Sequence, residues 1–225
     1  MGLALSYAFH MSRGGGVMAG KKEGSAPVNR NTRSRAALIR AAQDLLAEGE
    51  FNFSVAAITK AAEVVPQTLY NHFETKEALL TEAKAAAMAE FEKYMFEREK
   101  DVEDPLEKFV LNLRLFGRAP DTHPHFAAII TNSPLWVLMG KTGYSPVFGV
   151  HGNELKKAGL IKVEDLEIAL IATASSLEHI VVLRANNPSI PEKRVDDFVY
   201  QCLLIFGITP SKAKKLVNLP LPIWC

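Results

Sequence analysis

Within ten residues the chain places two carboxamides, two hydroxyls, an imidazole and an ammonium: Gln67, Thr68, Tyr70, Asn71, His72 and Lys76. Carboxamides carry a donor beside an acceptor and can pair with a base edge, while hydroxyl, imidazole and ammonium groups satisfy phosphate oxygens. Leu69 and Phe73 stand at i and i+4 among them. On a helix those two pin one side to a core and leave the polar set outward. A helix of that kind fits the major groove of duplex DNA. Lys76, with the free N–H groups of a helix starting beside it, is placed to meet a phosphate.

Other chemistries find less support. His123 and His125 flank Pro124, which invites a metal reading, but no third ligand follows at helical spacing and the proline disfavours a regular helix between them. The chain has no Gly-rich phosphate loop, nucleophile elbow or paired-carboxylate motif. No catalytic residue, metal or cofactor is therefore expected, and the chain does not read as an enzyme. Cys202 and Cys225 are too few for a disulfide framework, which fits a reducing compartment.

The elements that must position the polar set follow from punctuation and period. Thr32 is a plausible N-cap for a helix with Leu38, Ala41, Ala42, Leu45 and Leu46 on its apolar face, ending at Gly49. Ser54 caps a short second helix carrying Val55, Ile58 and Ala62. Pro66 suits the first turn of a third helix, which ends near Phe73. Thr75 caps a longer fourth helix running toward Arg98, and Asp104-Pro105 opens another. From His123 to Gly159 prolines and glycines predict short or kinked helices. Two strong helical stretches follow, near Glu164 to Ala185 and Glu192 to Phe206.

Bulk properties bound the rest. With 225 residues, 48% hydrophobic, the chain can bury a substantial core, and a net charge of +1 excludes a global basic field. The charge is uneven: Arg13 to Arg40 holds seven basic residues against one acid, Glu23. Met1 to His10 lacks the basic start of an export signal, and no later stretch reaches about 18 uninterrupted apolar residues. The expectation is a cytoplasmic protein without membrane association.

The stretch from Leu38 to Leu80 resembles the TetR family of transcriptional regulators. The matching elements are Ala41-Ala42, Leu45-Leu46, Phe51, Phe53, Ser54-Val55-x-x-Ile58 and Thr68-Leu69-Tyr70-x-His72-Phe73-x-x-Lys76-Glu77-x-Leu79. The resemblance implies an all-α fold: a three-helix helix-turn-helix DNA-binding domain joined to a larger α-helical ligand-binding and dimerisation domain. Expected boundaries are a disordered basic arm (1–31), the DNA-binding domain (32–75), the effector and dimerisation domain (76–208) and a C-terminal tail (209–225). It further implies phosphate contacts from Ser54, Tyr70, His72 and Lys76, base-edge contacts from Gln67, Thr68 and Asn71, and Arg33 facing the DNA backbone. The basic arm could enter the minor groove. Two departures stand out. Glu63 occupies the interhelical turn where the family usually has Gly, and Val65-Pro66-Gln67 replaces the more usual Ser-x-Gly.

The family also implies double-stranded operator DNA and a small-molecule effector as partners, with repression released by the effector. Phe109, Phe116, Phe126, Trp136, Tyr144 and Phe148 are candidate walls for that effector, which favours an apolar or aromatic compound. His123, His125, His151, Glu178 and His179 are candidate polar contacts. Small residues Ala172, Ala174, Ser175 and Ser176 let a neighbouring helix approach, so the last two long helices are expected to form a homodimer interface through Leu170, Leu177, Val181, Phe198 and Cys202. The alternative is that both helices fill the core of a monomer. An interaction protein that has lost specific DNA recognition, and an enzyme, remain the alternative functions.

Overall fold

The computed structural model describes residues 30–48, 53–132 and 146–222. Every regular element among them is helical: α1 (Arg30–Ala47), α2 (Val55–Ala61), α3 (Pro66–His72), α4 (Lys76–Glu99), α5 (Pro105–Gly117), α6 (Ala119–Thr122), α7 (Pro124–Asn132), α8 (Pro146–Lys157), α9 (Leu166–Asn186), α10 (Lys193–Ile205) and α11 (Pro210–Val217). Side-chain oxygens fix several starts. Ser54 Oγ accepts from the Ala57 N–H at 3.1 Å, Thr75 Oγ1 from Ala78 at 3.0 Å, and Asp104 and Asp165 cap α5 and α9 in the same way. α1 begins earlier than its sequence suggests, so Thr32 lies within the first turn instead of capping it. Gly49, its expected end, lies outside the described residues.

Leu38, Ala42 and Leu46 of α1, Phe53, Ile58 of α2, Leu69 and Phe73 around α3, and Leu79 and Ala83 of α4 close into an N-terminal core. Each large side chain buried there contributes roughly 1.5–3 kcal/mol. α4 then leaves that core and carries Phe91 into a second cluster with Phe126, Ile130 and Val181. The N-terminal domain and the rest of the fold thus share one continuous helix. A third and larger core, around Phe109, Leu113, Leu170, Val199 and Phe206, joins α5, α8, α9, α10 and α11.

α9 is long and apolar enough, by length and composition, to cross a membrane. Here one face of it, with Leu166, Leu170, Leu177 and Val181, is buried in the protein's own core. Cys202 is buried with them, its thiol pushed up to about 12 by burial, and Phe198 packs half-buried against the same core. The five residues expected at a subunit interface therefore face into their own protomer. What α9 leaves uncovered is the opposite side: Ile168, Ala172, Ser175, Ser176, His179 and Leu183, with Ile168 61% and Leu183 42% exposed.

The stretch from residue 209, expected as a tail, carries α11, whose Ala213, Leu216 and Val217 are buried at helical spacing. A buried ion network holds this end in place. Asp196 of α10 accepts from Arg114 Nε and Arg118 Nη2, both at 2.8 Å, and Arg114 Nη1 donates to the Leu219 carbonyl at 2.7 Å.

Candidate nucleic-acid interface

The turn between α2 and α3 has a defined hydrogen-bond pattern. Val64 N–H reaches back to the Thr59 carbonyl at 2.9 Å and Glu63 N–H to the Lys60 carbonyl at 3.2 Å. This pair of bonds is a Schellman ending, which needs a left-handed residue at its centre. Glu63 supplies it with φ +54°, the sole non-glycine residue with positive φ among those described. α8 and α10 end with the same pair of bonds, and there Gly159 (φ +68°) and Gly207 (φ +72°) take the central place. The motif is thus intact at Glu63 while the residue best suited to it is absent.

Val64 turns into the N-terminal core, and Val65, with φ −82° and ψ 153°, is the N-cap of α3 without a side-chain cap bond. Pro66 at the first position loses no helical bond, because that N–H has no partner inside a helix. Leu69 is fully buried and Phe73 nearly so, which fixes the rotation of α3. Gln67, Tyr70 and Asn71 are exposed and Thr68 half-buried. Gln67 Nε2 donates to Asn71 Oδ1 at 3.1 Å, holding the two carboxamides side by side with donors and acceptors to spare.

The expected phosphate contacts gather at the ends of four helices. Exposed Ser54 starts α2, and Lys76 Nζ donates to the carbonyl of its neighbour Phe53 at 3.3 Å, bringing the start of α4 beside it. One such bond leaves the ammonium two further donors. His72 Nε2 lies 2.8 Å from Ser34 Oγ, which ties the end of α3 to the first turns of α1 where Arg33 is exposed. Tyr70 is 53% exposed.

Contacts that sequence reasoning missed hold this assembly to the rest. Arg35 pairs with Glu82 of α4, and its guanidinium lies 5.0 Å from the centre of the Phe73 ring. Buried Gln43 donates to the Ala83 carbonyl at 3.1 Å. Asp44 Oδ1 lies 2.8 Å from His125 Nε2 on α7. Their partners lie 38 to 81 residues away; the one sequence signal was a glutamine and charged side chains within an otherwise apolar helical repeat.

Among the described residues, the candidate effector side chains are spread over two aromatic clusters and an exposed helix face. Phe109 is sealed in the large core, stacked 5.1 Å from Phe148 and edge-on to Phe206 at 5.3 Å. Phe126 belongs instead to a cluster around Phe91 at a centroid distance of 3.9 Å, joined by His123 at 5.3 Å, and half-buried Phe116, 5.8 Å from Phe91, packs against both clusters. His179 stands on the uncovered side of α9, away from both, and Trp136 and Tyr144 lie outside the described residues. His151 is buried beside a small polar cleft of about 80 Å³ lined also by Glu103, Pro105, Lys108 and Glu154. Burial lowers the pKa of both His123 and His151 from the usual histidine value.

Residues 38–83 match the model of "Bacterial regulatory proteins, tetR family". Among solved structures, RolR in complex with resorcinol is 26% identical over 86% of this chain and 97% of its own, with a TM-score of 0.65. The fatty acid degradation regulator FadR from Bacillus halodurans shares the fold at 20% identity, covering 80% of this chain and 97% of its own with a TM-score of 0.65. FadR from Bacillus subtilis in complex with stearoyl-CoA does so at 20% identity, 76% and 98% coverage and a TM-score of 0.64. No curated protein matches the sequence.

Proposed function

We propose that this chain, whose residues 38–83 match the tetR family of bacterial regulators and whose fold is shared with RolR, is a homodimeric repressor that grips operator DNA through α3 and lets go when a small molecule enters its C-terminal helices. The observation that carries the reading is α3 itself. Its apolar side is locked by Leu69 and Phe73, and its outer side offers Gln67, Thr68, Tyr70 and Asn71. A rigid helix with hydrogen-bonding groups on its free face is what major-groove recognition requires. Gln67, Thr68 and Asn71 meet base edges; Arg33, Ser54, Tyr70, His72 and Lys76 meet the phosphate backbone, setting register and salt dependence.

RolR was solved with resorcinol and the B. subtilis FadR with stearoyl-CoA, a small phenol and a long acyl thioester. Ligand chemistry thus varies on a shared fold, and the effector here is assigned from this chain's own residues. The cluster of Phe91, Phe116 and Phe126 with His123 favours an apolar or aromatic compound bearing a polar group. Ligand release of DNA is a shift between DNA-competent and incompetent states, so the effector must bind the incompetent state more tightly. For the dimer, the uncovered side of α9 with Ile168, Ala172, Ser175, Ser176, His179 and Leu183 replaces the inward-facing set as the proposed contact. Its small residues permit close approach of a second copy. The reading contains no catalytic step and places the protein with DNA in the cytoplasm.

Selection of bound fragments from a genomic DNA pool tests this. The expected product is a pseudo-palindromic site whose half-sites lie about one or two helical turns apart, with affinity falling steeply as salt rises. Tyr70→Phe and Lys76→Ala should weaken all sites alike, whereas Gln67→Ala and Asn71→Ala should reorder them. Recovery of no preferred fragment would favour an interaction protein without DNA recognition.

A further inference from the structure

We propose that Val65 reads the C5-methyl group of a thymine in each operator half-site, which makes it a base-specificity residue beside the carboxamides of α3. The inference rests on the DNA-binding reading above. Val65 is 65% exposed, more than any other exposed large hydrophobic among the described residues. The others are Tyr70 on α3, Val150 on α8, Ile168 and Leu183 on α9 and Ile205 on α10, and of these Tyr70 alone shares the N-terminal helices with Val65. Val65 sits instead in the α2–α3 turn, outside the N-terminal core that takes in Val64.

Its position is held closely. Val65 itself is extended, and while Val64 packs against the N-terminal core Val65 stands in solvent. The Val65 carbonyl accepts from the Thr68 N–H at 2.9 Å, and Pro66 restricts the backbone on either side of the peptide bond. A serine, threonine, aspartate or asparagine at this place would cap the helix, and the isopropyl group supplies no such bond. An apolar side chain is thus displayed where local stability favours a polar one, two residues before the exposed Gln67.

The residues that start a recognition helix are those nearest the base edges. Of the groups displayed on those edges, the thymine methyl is the apolar one; the rest are donors and acceptors. An isopropyl group set against a cytosine amino group, or against purine N7 and O6, leaves them desolvated without a partner. Set against thymine it buries two apolar surfaces together. Gln67 and Asn71, linked to each other and with free amide groups remaining, have the chemistry to hydrogen-bond an adenine edge in the same half-site.

The test uses the full-length protein and the operator recovered by genomic selection, with each thymine replaced singly by deoxyuridine. That change removes one methyl and leaves every hydrogen-bonding group in place. In one thymine per half-site the wild-type protein should lose about four-fold in affinity, the effect of one buried methyl-sized group. Val65→Ala should bind the thymine and deoxyuridine operators equally. Val65→Thr, which supplies a helix cap and keeps one methyl, secures a folded comparison and should show less than half the wild-type discrimination on a logarithmic scale. Equal binding of all deoxyuridine operators by the wild type, or discrimination unchanged in both variants, overturns the assignment to Val65. Failure of the wild type to select any DNA removes the underlying function as well, so the two failures are distinguishable.

Discussion

Replacing Glu63 separates backbone strain from charge at the edge of the DNA-binding surface. A left-handed conformation costs an L-residue roughly 1–2 kcal/mol, and glycine, free of that cost, returns roughly 0.5–1 kcal/mol through its greater freedom when unfolded. Glu63, at φ +54° in a fully bonded Schellman turn, carries the first cost. Glu63→Gly should therefore stabilise the protein by about 0.5–1 kcal/mol, and Glu63→Ala, which keeps the strain, by nothing. In urea denaturation the glycine variant should have the higher midpoint with an unchanged slope, and on heating it should gain about 1–4 °C. Both variants remove one carboxylate from an exposed turn beside the helix proposed to meet DNA. Both should gain operator affinity by roughly two- to five-fold at low salt, with the gain fading as ionic strength rises. Equal stability of the two variants would refute the strain argument. An affinity gain confined to the glycine variant would refute the electrostatic one.

Asp196→Ala should cost about 3–5 kcal/mol in urea denaturation, because it leaves Arg114 and Arg118, both 8% exposed at the side chain, with buried charges lacking their shared partner; a loss below 1 kcal/mol would mean that solvent reaches both arginines. Leu177→Asp should unfold the chain, since Leu177 is 5% exposed within the core, whereas Ile168→Asp should keep its helical circular dichroism and sediment as a monomer. A folded, dimeric Ile168→Asp protein would place the subunit contact elsewhere. Stability should fall with acidity below about pH 6.5: His123 and His151 have lowered pKa values when folded, so the unfolded chain binds protons there first. The urea midpoint at pH 5.5 should lie below that at pH 7.5, and a variant with both histidines changed to Asn should lose part of that difference; an identical pH dependence in the variant would assign it to other groups.

The N-terminal helices were legible because their determinants are local. Ser54 and Thr75 cap three residues ahead, Pro66 opens its own helix, and Leu69 and Phe73 set a rotation four residues apart. α9 was not, because a helix apolar on most sides holds no internal statement of which side a neighbour will cover. Packing of α5 and α7 settles it and turns Leu170, Leu177 and Val181 inward. The aromatic side chains expected around one effector were divided for a related reason. Phe109 and Phe126 lie in different cores and Phe116 packs against both, and composition cannot express that. Arg114 and Arg118 look like surface residues until Asp196, 82 and 78 residues later, encloses them. α11 carried a local signal, Thr209-Pro210 followed by apolar Ala213, Leu216 and Val217, within a segment read as a tail.

α7 has nine residues, and two neighbours on it serve different domains: Phe126 stacks on Phe91, and His125 meets Asp44 of α1. Such a joint limits how freely this architecture can be recombined. An N-terminal domain grafted from a relative would have to arrive with an acceptor at position 44, or it would sit on α7 without the contact that fixes its angle. Chimeras built by exchanging the recognition helix alone leave the joint untouched. That makes α3 the natural unit for retargeting the protein, and α1 together with α7 the unit that must be inherited as a pair.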